Sequence, residues 1–221
     1  DNGDLYAQLS QAQAQLASHQ SRLDQYMIGS RPEELAIYEN RVTSARVKAQ
    51  TDMQNTYITA VDGLRDAYVT ANSAVRDQIG DLFNNDEDND PKVVFNTLDA
   101  NAKIQAGVAR VQSRNELNTW SAELASLNPN DGAAIEAAVK KAKTHFVAFE
   151  SLFSNLQAAL NSGAGEDTTV MSGYKSAVAS GRANITAAMT LVNKQDQLIA
   201  SQKAANEASV SAAQKDLDLK K

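Results

Sequence analysis

The 221-residue chain contains no cysteine, only three prolines and few aromatic residues, which make up 5% of it. The absence of cysteine excludes disulfide bonds, thiolate metal ligands and a cysteine nucleophile. The scarcity of aromatic residues argues against a sheet protein, because strands favour aromatic and β-branched side chains. No segment approaches the roughly 18 consecutive apolar residues of a membrane-spanning helix, so we expect a membrane to be involved only through segments outside this sequence.

Alanine, glutamine, asparagine and serine are abundant instead, a composition typical of long helices with small-residue seams. We predict an all-α protein, an elongated stacked (bimodular) helical bundle with two long and three or four shorter antiparallel helices. The formal net charge is -6 and the basic residues are scattered among acids, which argues against nucleic acid as a partner. The chain begins at Asp1 and lacks an apolar signal segment, so we expect a mature exported form or an excised domain.

Glycine and proline divide the chain into five predicted helices. The first covers residues 4–28 and stops at Gly29-Ser30-Arg31-Pro32, where Ser30 or Arg31 serves as the N-cap of the second helix. The apolar residues of the first helix alternate by four and three over three heptads, which predicts that this helix packs against another. That seam consists of Leu5, Leu9, Ala12, Leu16, His19, Leu23 and Tyr26.

The remaining helices are predicted over residues 32–83, 92–127, 133–160 and 166–219. Asp62-Gly63 is the one weak point inside the second helix, which either continues through it or breaks there. In the last helix, apolar residues recur at every seventh position, and this spacing favours a left-handed bundle. The recurring residues are Val178, Ile185, Val192 and Ile199. We expect two modules, module A (about 1–60 and 190–221) and module B (about 61–189), and module B carries the aromatic residues Trp120, Phe146, Phe149 and Phe153.

The most acidic segment resembles a calcium loop only in part. Its three aspartates, Asp86, Asp88 and Asp90, have the spacing that opens such a loop. Pro91 replaces the glycine required at position six, and Thr97 replaces the glutamate at position twelve. A solvated acidic turn is therefore the prediction for this segment.

The two histidines, His19 and His145, lie on different predicted helices and lack the paired spacing of metal ligands. The sequence also contains neither a glycine-rich phosphate loop after a strand nor a nucleophile motif. We therefore predict that the protein is not an enzyme, and we expect no catalytic residue, no cofactor and no metal site.

A ligand site is predicted from helix geometry. When neighbouring helices run antiparallel through short turns, residues at one height have nearly constant index sums. Arg182 lies between Val178 and Ile185 on the apolar stripe, where a buried guanidinium needs a counter-charge. The predicted turns place Arg182 near four other side chains. The predicted site consists of Arg182, Arg114, His145, Tyr68 and Arg110. We predict that these five residues bind a small carboxylate between helices. In the alternative interpretation, the three arginines extend to the surface or pair with Glu116 and Glu150.

Two segments resemble a known family. Residues 23–35, LDQYMIGSRPEEL, are similar to the helix-turn-helix segment near the start of the helical sensor domains of bacterial chemoreceptors and histidine kinases. Residues 135–150, from Ile135-Glu136-Ala137-Ala138-Val139 to His145-Phe146-Val147-Ala148-Phe149-Glu150, are similar to a helix of the same domains. The resemblance implies two four-helix bundles stacked on two long helices, a periplasmic location and a small organic acid as ligand.

We therefore predict an extracytoplasmic sensor domain that binds a small carboxylate, signals through helix displacement and dimerises weakly. A sensor held between two membrane spans needs an even number of helical passes, whereas five are predicted. The sensor hypothesis thus requires a sixth pass, most simply from a break at Asp62-Gly63. Without that break, the better match is a structural or interaction protein, such as a pilus-tip subunit of a type IV secretion system.

Overall fold

The computed structural model describes residues 2–27 and 31–221. The protein is all-α, with 83% of it helical. Its two long helices contain 45 and 51 residues, so the described residues confirm the predicted set of two long and three shorter helices. The helices are α1 (Asn2–Met27), α2 (Pro32–Arg76), α3 (Ala100–Ala125), α4 (Gly132–Asn161) and α5 (Thr168–Asp218). The predicted stop at Gly29 and Ser30 lies outside the described residues.

The segment between α2 and α3 differs from the prediction. The second helix ends at Arg76 instead of residue 83, and the third begins at Ala100 instead of residue 92. In between, a 3-10 turn (Gly80–Leu82) leads into a short antiparallel pair, in which strand β1 (Phe83–Asn84) pairs with strand β2 (Lys92–Val93).

Two features explain why this segment is extended instead of helical. Its aromatic and β-branched side chains suit an extended backbone, and Phe83, Val93 and Phe95 are all buried in the core. The Asp99 carboxylate then accepts a hydrogen bond of 2.8 Å from the backbone N–H of Ala102 and so caps α3 at its first turn.

The second helix runs through Asp62-Gly63 without a break. Gly63 is buried against the side chain of Gln195 on α5, and a Cβ at position 63 would lie 2.1 Å from Gln195 Nε2. The glycine therefore allows a close approach of α5 to α2. A helix that is packed closely at a glycine tolerates the small loss of intrinsic helix propensity there.

The connection between α3 and α4 is short, and α4 begins within one residue of its predicted start. The Asp131 carboxylate accepts a 3.0 Å hydrogen bond from the N–H of Ala134 and caps α4.

At Gly132 a Cβ would lie 2.3 Å from the Tyr57 ring, so the glycine allows the tyrosine to reach Glu136. The Tyr57 hydroxyl donates to Glu136 Oε1 at 2.6 Å. Burial, and then the adjacent carboxylate, raise the pKa of Tyr57 to about 12.

The chain divides into two compact units. The second of them, Asp52–Lys203, has a continuous hydrophobic core. The seven-residue repeat of α5 is buried in this core, and so are the aromatic residues of α3 and α4. These residues are Val178, Ile185, Val192, Ile199, Trp120, Phe146, Phe149 and Phe153.

The first unit comprises Asp1–Thr51 and Ala204–Lys221. Here the beginning of α2 and the end of the chain run antiparallel: Asn206 Nδ2 donates to the Ala49 carbonyl at 2.8 Å, and Lys220 Nζ lies 2.8 Å from Glu34 Oε1. Every α1 side chain from Asn2 to Gln25 is exposed. The prediction that the seam of α1 packs within the chain is therefore wrong for these residues, and the seam position Tyr26 lies outside the described side chains.

Candidate functional site

The acidic loop, residues 85–91, is held against α3 by a fully buried arginine. Arg110 Nε and Nη2 donate to the two carboxylate oxygens of Asp86, and Arg110 Nη1 donates to the carbonyl oxygen of Val75. A bidentate guanidinium–carboxylate pair is among the strongest hydrogen-bonded arrangements in proteins. Arg110 therefore joins the end of α2, the acidic loop and α3.

A second arginine, one turn along α3, binds the same loop through its backbone. Arg114 Nη1 donates to the carbonyl oxygen of Asp86, and Nη2 donates to that of Asp88 at 2.8 Å. The prediction of a merely solvated acidic turn is therefore wrong at Asp86, because its carboxylate neutralises a buried cation. Both guanidinium groups bind protein acceptors, which argues against the predicted role of Arg110 and Arg114 in ligand binding.

His145 of α4 lies between two carboxylates of α3. Its Nδ1 is 2.6 Å from Glu116 Oε2, and its Nε2 is 3.0 Å from Glu123 Oε2. A neutral imidazole has a single N–H, so donation to both carboxylates requires the imidazolium form. The ring is buried and stacks on Trp120 with centroids 5.6 Å apart. Tyr68 also contacts Trp120, edge-on, with centroids 5.6 Å apart. Tyr68 and His145, which the sequence predicts at one level, thus both contact Trp120.

The Glu123 carboxylate is the better-connected partner of His145. Lys141 Nζ lies 3.1 Å from its Oε1. Burial alone raises the pKa of Glu123, but the hydrogen bonds and charges of His145 and Lys141 outweigh burial, so the pKa lies below its usual value. The two carboxylates bind opposite sides of the imidazole, so they do not converge on one point as metal ligands do.

Acid should weaken the fold through this network. Because the pKa of Glu123 is lower in the folded state, its contribution is fully present above the unfolded value of 4.5 and is lost as the pH falls through the folded pKa. We expect the free energy of unfolding to decrease below about pH 4.5 and the slope to be shallower in Glu123→Gln. Urea denaturation followed by circular dichroism at several pH values measures this slope. Glu150→Gln, at an exposed position of α4, is the control, and an equal change in both variants would contradict the assignment.

Arg182 does not lie on the buried stripe of α5, which corrects the prediction. Its side chain is exposed, and its Nη1 donates to Gln157 Oε1 on α4 at 2.8 Å. The preceding residue, Gly181, is buried instead, where a Cβ would lie 2.4 Å from the Phe153 ring. The stripe thus passes beside Arg182, and the glycine takes the position closest to α4.

The helix register explains why Arg182 and His145 are not together. The connection after α4 is not a tight turn, because Thr97 forms a bridge with Gly163 and the Ala164 N–H donates to the Asn96 carbonyl at 3.1 Å. The first turns of α5 therefore extend past the end of α4. At the level of His145, Lys143 Nζ lies 2.6 Å from Asp196 Oδ2 of α5. Arg182 is more than three helical turns away from that position.

A groove of about 450 Å³ lies beside Arg182, between α4 and α5. Its base is apolar, since Leu160 and Val178 are buried. Arg182 and Lys175 supply two cations, and the remaining lining residues are uncharged: Gln157, Asn161, Ala179, Ala183 and Thr186. Ligand sites in proteins typically have volumes of about 300–1,000 Å³, with an apolar lining and a few placed polar groups. The groove therefore has the size and charge for a small anion with an apolar portion.

The five predicted site residues fall into three places. Tyr68 and His145 meet at Trp120, Arg110 and Arg114 meet at the acidic loop, and Arg182 lies in the groove. The sequence predicts Glu116 only as an alternative partner of the arginines, and it predicts no role for Glu123, Gln157 or Lys175. A signal was present for the glutamates: they are seven residues apart, so they lie on one face of α3 with Trp120 between them.

The chain matches no protein-family model, no curated protein and no solved structure. Within residues 2–27 and 31–221, every helix falls short of the apolar length that crossing a bilayer requires. The same residues contain no group of three or more His, Cys, Asp or Glu arranged to hold a metal ion.

Proposed function

We propose that this protein is a non-enzymatic binding protein that takes a small carboxylate in the groove between α4 and α5. The supporting observation is the charge of the groove: two cations, Arg182 and Lys175, face it without any acidic residue in its lining. Among the described residues, no ion pair includes Arg182 or Lys175. In a chain of net charge -6, such a locally positive groove favours an anion.

The geometry specifies how a carboxylate would bind. Gln157 holds one side of the Arg182 guanidinium at 2.8 Å and leaves other N–H groups for bidentate binding. Lys175 is two turns earlier on α5, about 10 Å along the helix axis, so a second acidic group on the ligand would reach it. The apolar base formed by Leu160 and Val178 would contact the ligand's carbon chain.

A sensor role follows from this proposal as a further step. A ligand that contacts both α4 and α5 would change the spacing of these helices, and a helical sensor domain signals by such displacements. An extracytoplasmic location belongs to the same proposal. The stacked arrangement of two bundles predicted from the sequence stays a prediction, and carboxylate binding does not depend on it.

The binding proposal is tested by a thermal-shift screen of small monocarboxylic and dicarboxylic acids, with their amides as uncharged analogues. A ligand at about 100 times its Kd should stabilise the folded state by about 2.7 kcal/mol. We expect the shift to disappear in Arg182→Ala and to persist in Arg65→Ala, which removes an exposed arginine from a pair with Asp62 on α2. If no acid shifts the melting temperature, or if Arg182→Ala keeps the shift, the proposal is wrong.

An interaction or structural role is the second candidate, and the uninterrupted α2 favours it. A sensor between two membrane spans requires an even number of helical passes, whereas the described residues form five α-helices and α2 does not break at Gly63. A secretion-system or pilus-tip subunit has no such requirement. The same screen separates the two roles, since a purely structural subunit gives no thermal shift with any acid.

A further inference from the structure

The first helix presents an apolar stripe that no described residue of its own unit covers. Leu5, Leu9, Leu16 and Leu23 lie along one side of α1, and their exposed fractions are between 53% and 65%. Isolated exposed leucines are ordinary on protein surfaces, but a continuous exposed stripe on a long helix marks an interaction surface. The α1 stripe, defined as these leucines with Ala12 and His19, is therefore a candidate interaction surface.

The spacing of the stripe is that of a coiled coil. Positions alternate by four and three, so Leu9, Leu16 and Leu23 occupy the a positions of successive heptads and Leu5, Ala12 and His19 occupy the d positions. The helix contains 26 residues, enough for three heptads. In proteins most of the stability of a helix comes from the packing of its apolar face, and packing along a coiled-coil stripe would supply this to α1.

The residues that flank the stripe determine which partners are acceptable. In coiled coils, charges at the e and g positions select the partner. In α1 these positions hold Tyr6, Gln8, Gln13, Gln15, Gln20 and Arg22. A nearly uncharged flank neither repels an identical helix nor requires a partner of opposite charge. The sequence of α1 is therefore compatible with a second copy of itself.

Side-chain volumes along the stripe decide the orientation of such a pair. In a parallel pair in register, Ala12 would face Ala12 and leave a void, and His19 would face His19. In an antiparallel pair centred on Ala14, a positions face d positions, so Ala12 faces Leu16 and His19 faces Leu9. Large side chains then oppose small or polar ones at every level except the ends, where Leu5 faces Leu23. Alternation of large and small residues across an interface fills it without voids.

We propose that α1 forms an antiparallel two-stranded coiled coil with α1 of a second copy of this chain. The charge of α1 argues against a lipid surface as the occupant. Asp4 and Asp24 outnumber Arg22, whereas interfacial helices that bind anionic membranes carry a lysine- and arginine-rich polar face. The second copy supplies an identical stripe of matching length, and the antiparallel arrangement closes the pair without leaving a stripe open.

Sedimentation velocity of the whole chain over a range of concentrations tests the pairing. We expect a monomer–dimer equilibrium, with a dimer dissociation constant at least 10-fold higher in Leu16→Glu, because a carboxylate at an a position would be buried without a partner. Ala14→Glu is the matched control: it places the same charge two residues away, at the outward f position, and should leave the equilibrium unchanged. A wild-type chain that stays monomeric at the highest concentration overturns the proposal, as does an equal effect of both substitutions.

Cysteine cross-linking tests the orientation, and the natural chain has no cysteine to interfere. Two single variants, Ala12→Cys and Leu16→Cys, are oxidised under mild conditions separately and as an equimolar mixture. An antiparallel pair brings position 12 next to position 16 of the other copy, so the mixed disulfide should form faster than either homodimer. Rapid cross-linking of Ala12→Cys alone would show a parallel pair, and absence of any preference would show that α1 does not pair in this register. Either result contradicts the proposal.

Discussion

Replacing Arg110 with methionine should lower the free energy of unfolding by about 3–5 kcal/mol, the usual cost of removing one partner from a buried ion pair. The side chain of Arg110 is fully buried, whereas that of Asp86 is 24% exposed. Methionine fills much of the volume but leaves the Asp86 carboxylate and the Val75 carbonyl without their donor. The acidic loop would then lose its main attachment to α3. Urea denaturation followed by circular dichroism measures the change.

The control for this substitution is Arg65→Met on the surface of α2. Arg65 also pairs with an aspartate, Asp62, at 3.4 Å, but both side chains are more than half exposed. Exposed pairs of this kind contribute about 0–1 kcal/mol. If the two variants lose similar stability, the buried pair is not the attachment that the contacts indicate. Asp86→Asn, which keeps one acceptor oxygen, should give an intermediate loss.

A single methyl group at position 107 should also destabilise the fold, by about 1–3 kcal/mol, as overpacking does in cores. Gly107 is buried on α3, three residues before Arg110, where a Cβ would lie 2.6 Å from the Pro91 carbonyl oxygen. That oxygen belongs to the backbone and has no flexible side chain to rotate away. The backbone at the end of the acidic loop must therefore shift in Gly107→Ala. This loss is what remains after the gain of up to about 1 kcal/mol that alanine gives over glycine in a helix.

Gly173→Ala is the matched control, because it makes the same change in a helix with open space around it. No heavy atom beyond its own helix lies within 4 Å of a Cβ at position 173. We expect this variant to gain up to about 1 kcal/mol from helix propensity alone. The two glycine substitutions should thus have opposite signs in thermal or urea melts. A gain in stability for Gly107→Ala would show that the loop does not press on α3.

Residue spacing predicted the helices well because the strongest signals were local. Asp131 and Gly132 mark the start of α4, and the repeat from Val178 to Ile199 marks the core face of α5. The prediction was wrong at residues 92–99, where Val93 and Phe95 are core residues in an extended segment. No local pattern distinguishes a buried apolar run in a loop from the first turn of a helix, and the tertiary contacts of that segment decided its structure.

The site was harder to predict, because small errors in register accumulate along antiparallel helices. The assumption of a tight turn near Gly163 placed Arg182 beside His145. The actual connection pairs with residues 96–98 and shifts α5 along α4 by several turns. The identity of the acid that pairs with Arg110 also depends on the tertiary fold. Asp86 lies 24 residues before Arg110 in the chain, and only the hairpin between them brings the acid over the arginine.

Trp120 is the one tryptophan of the chain and lies in the core of the second unit, in contact with Tyr68 and Phe146. Its fluorescence therefore reports on that unit alone, whereas circular dichroism sums the helices of the whole chain. Coincident melting curves from the two signals would mean that both units unfold as one cooperative system. Separated curves would mean that the unit containing α1 melts on its own. The protein thus contains an intrinsic optical probe for the unit that holds the α4–α5 groove.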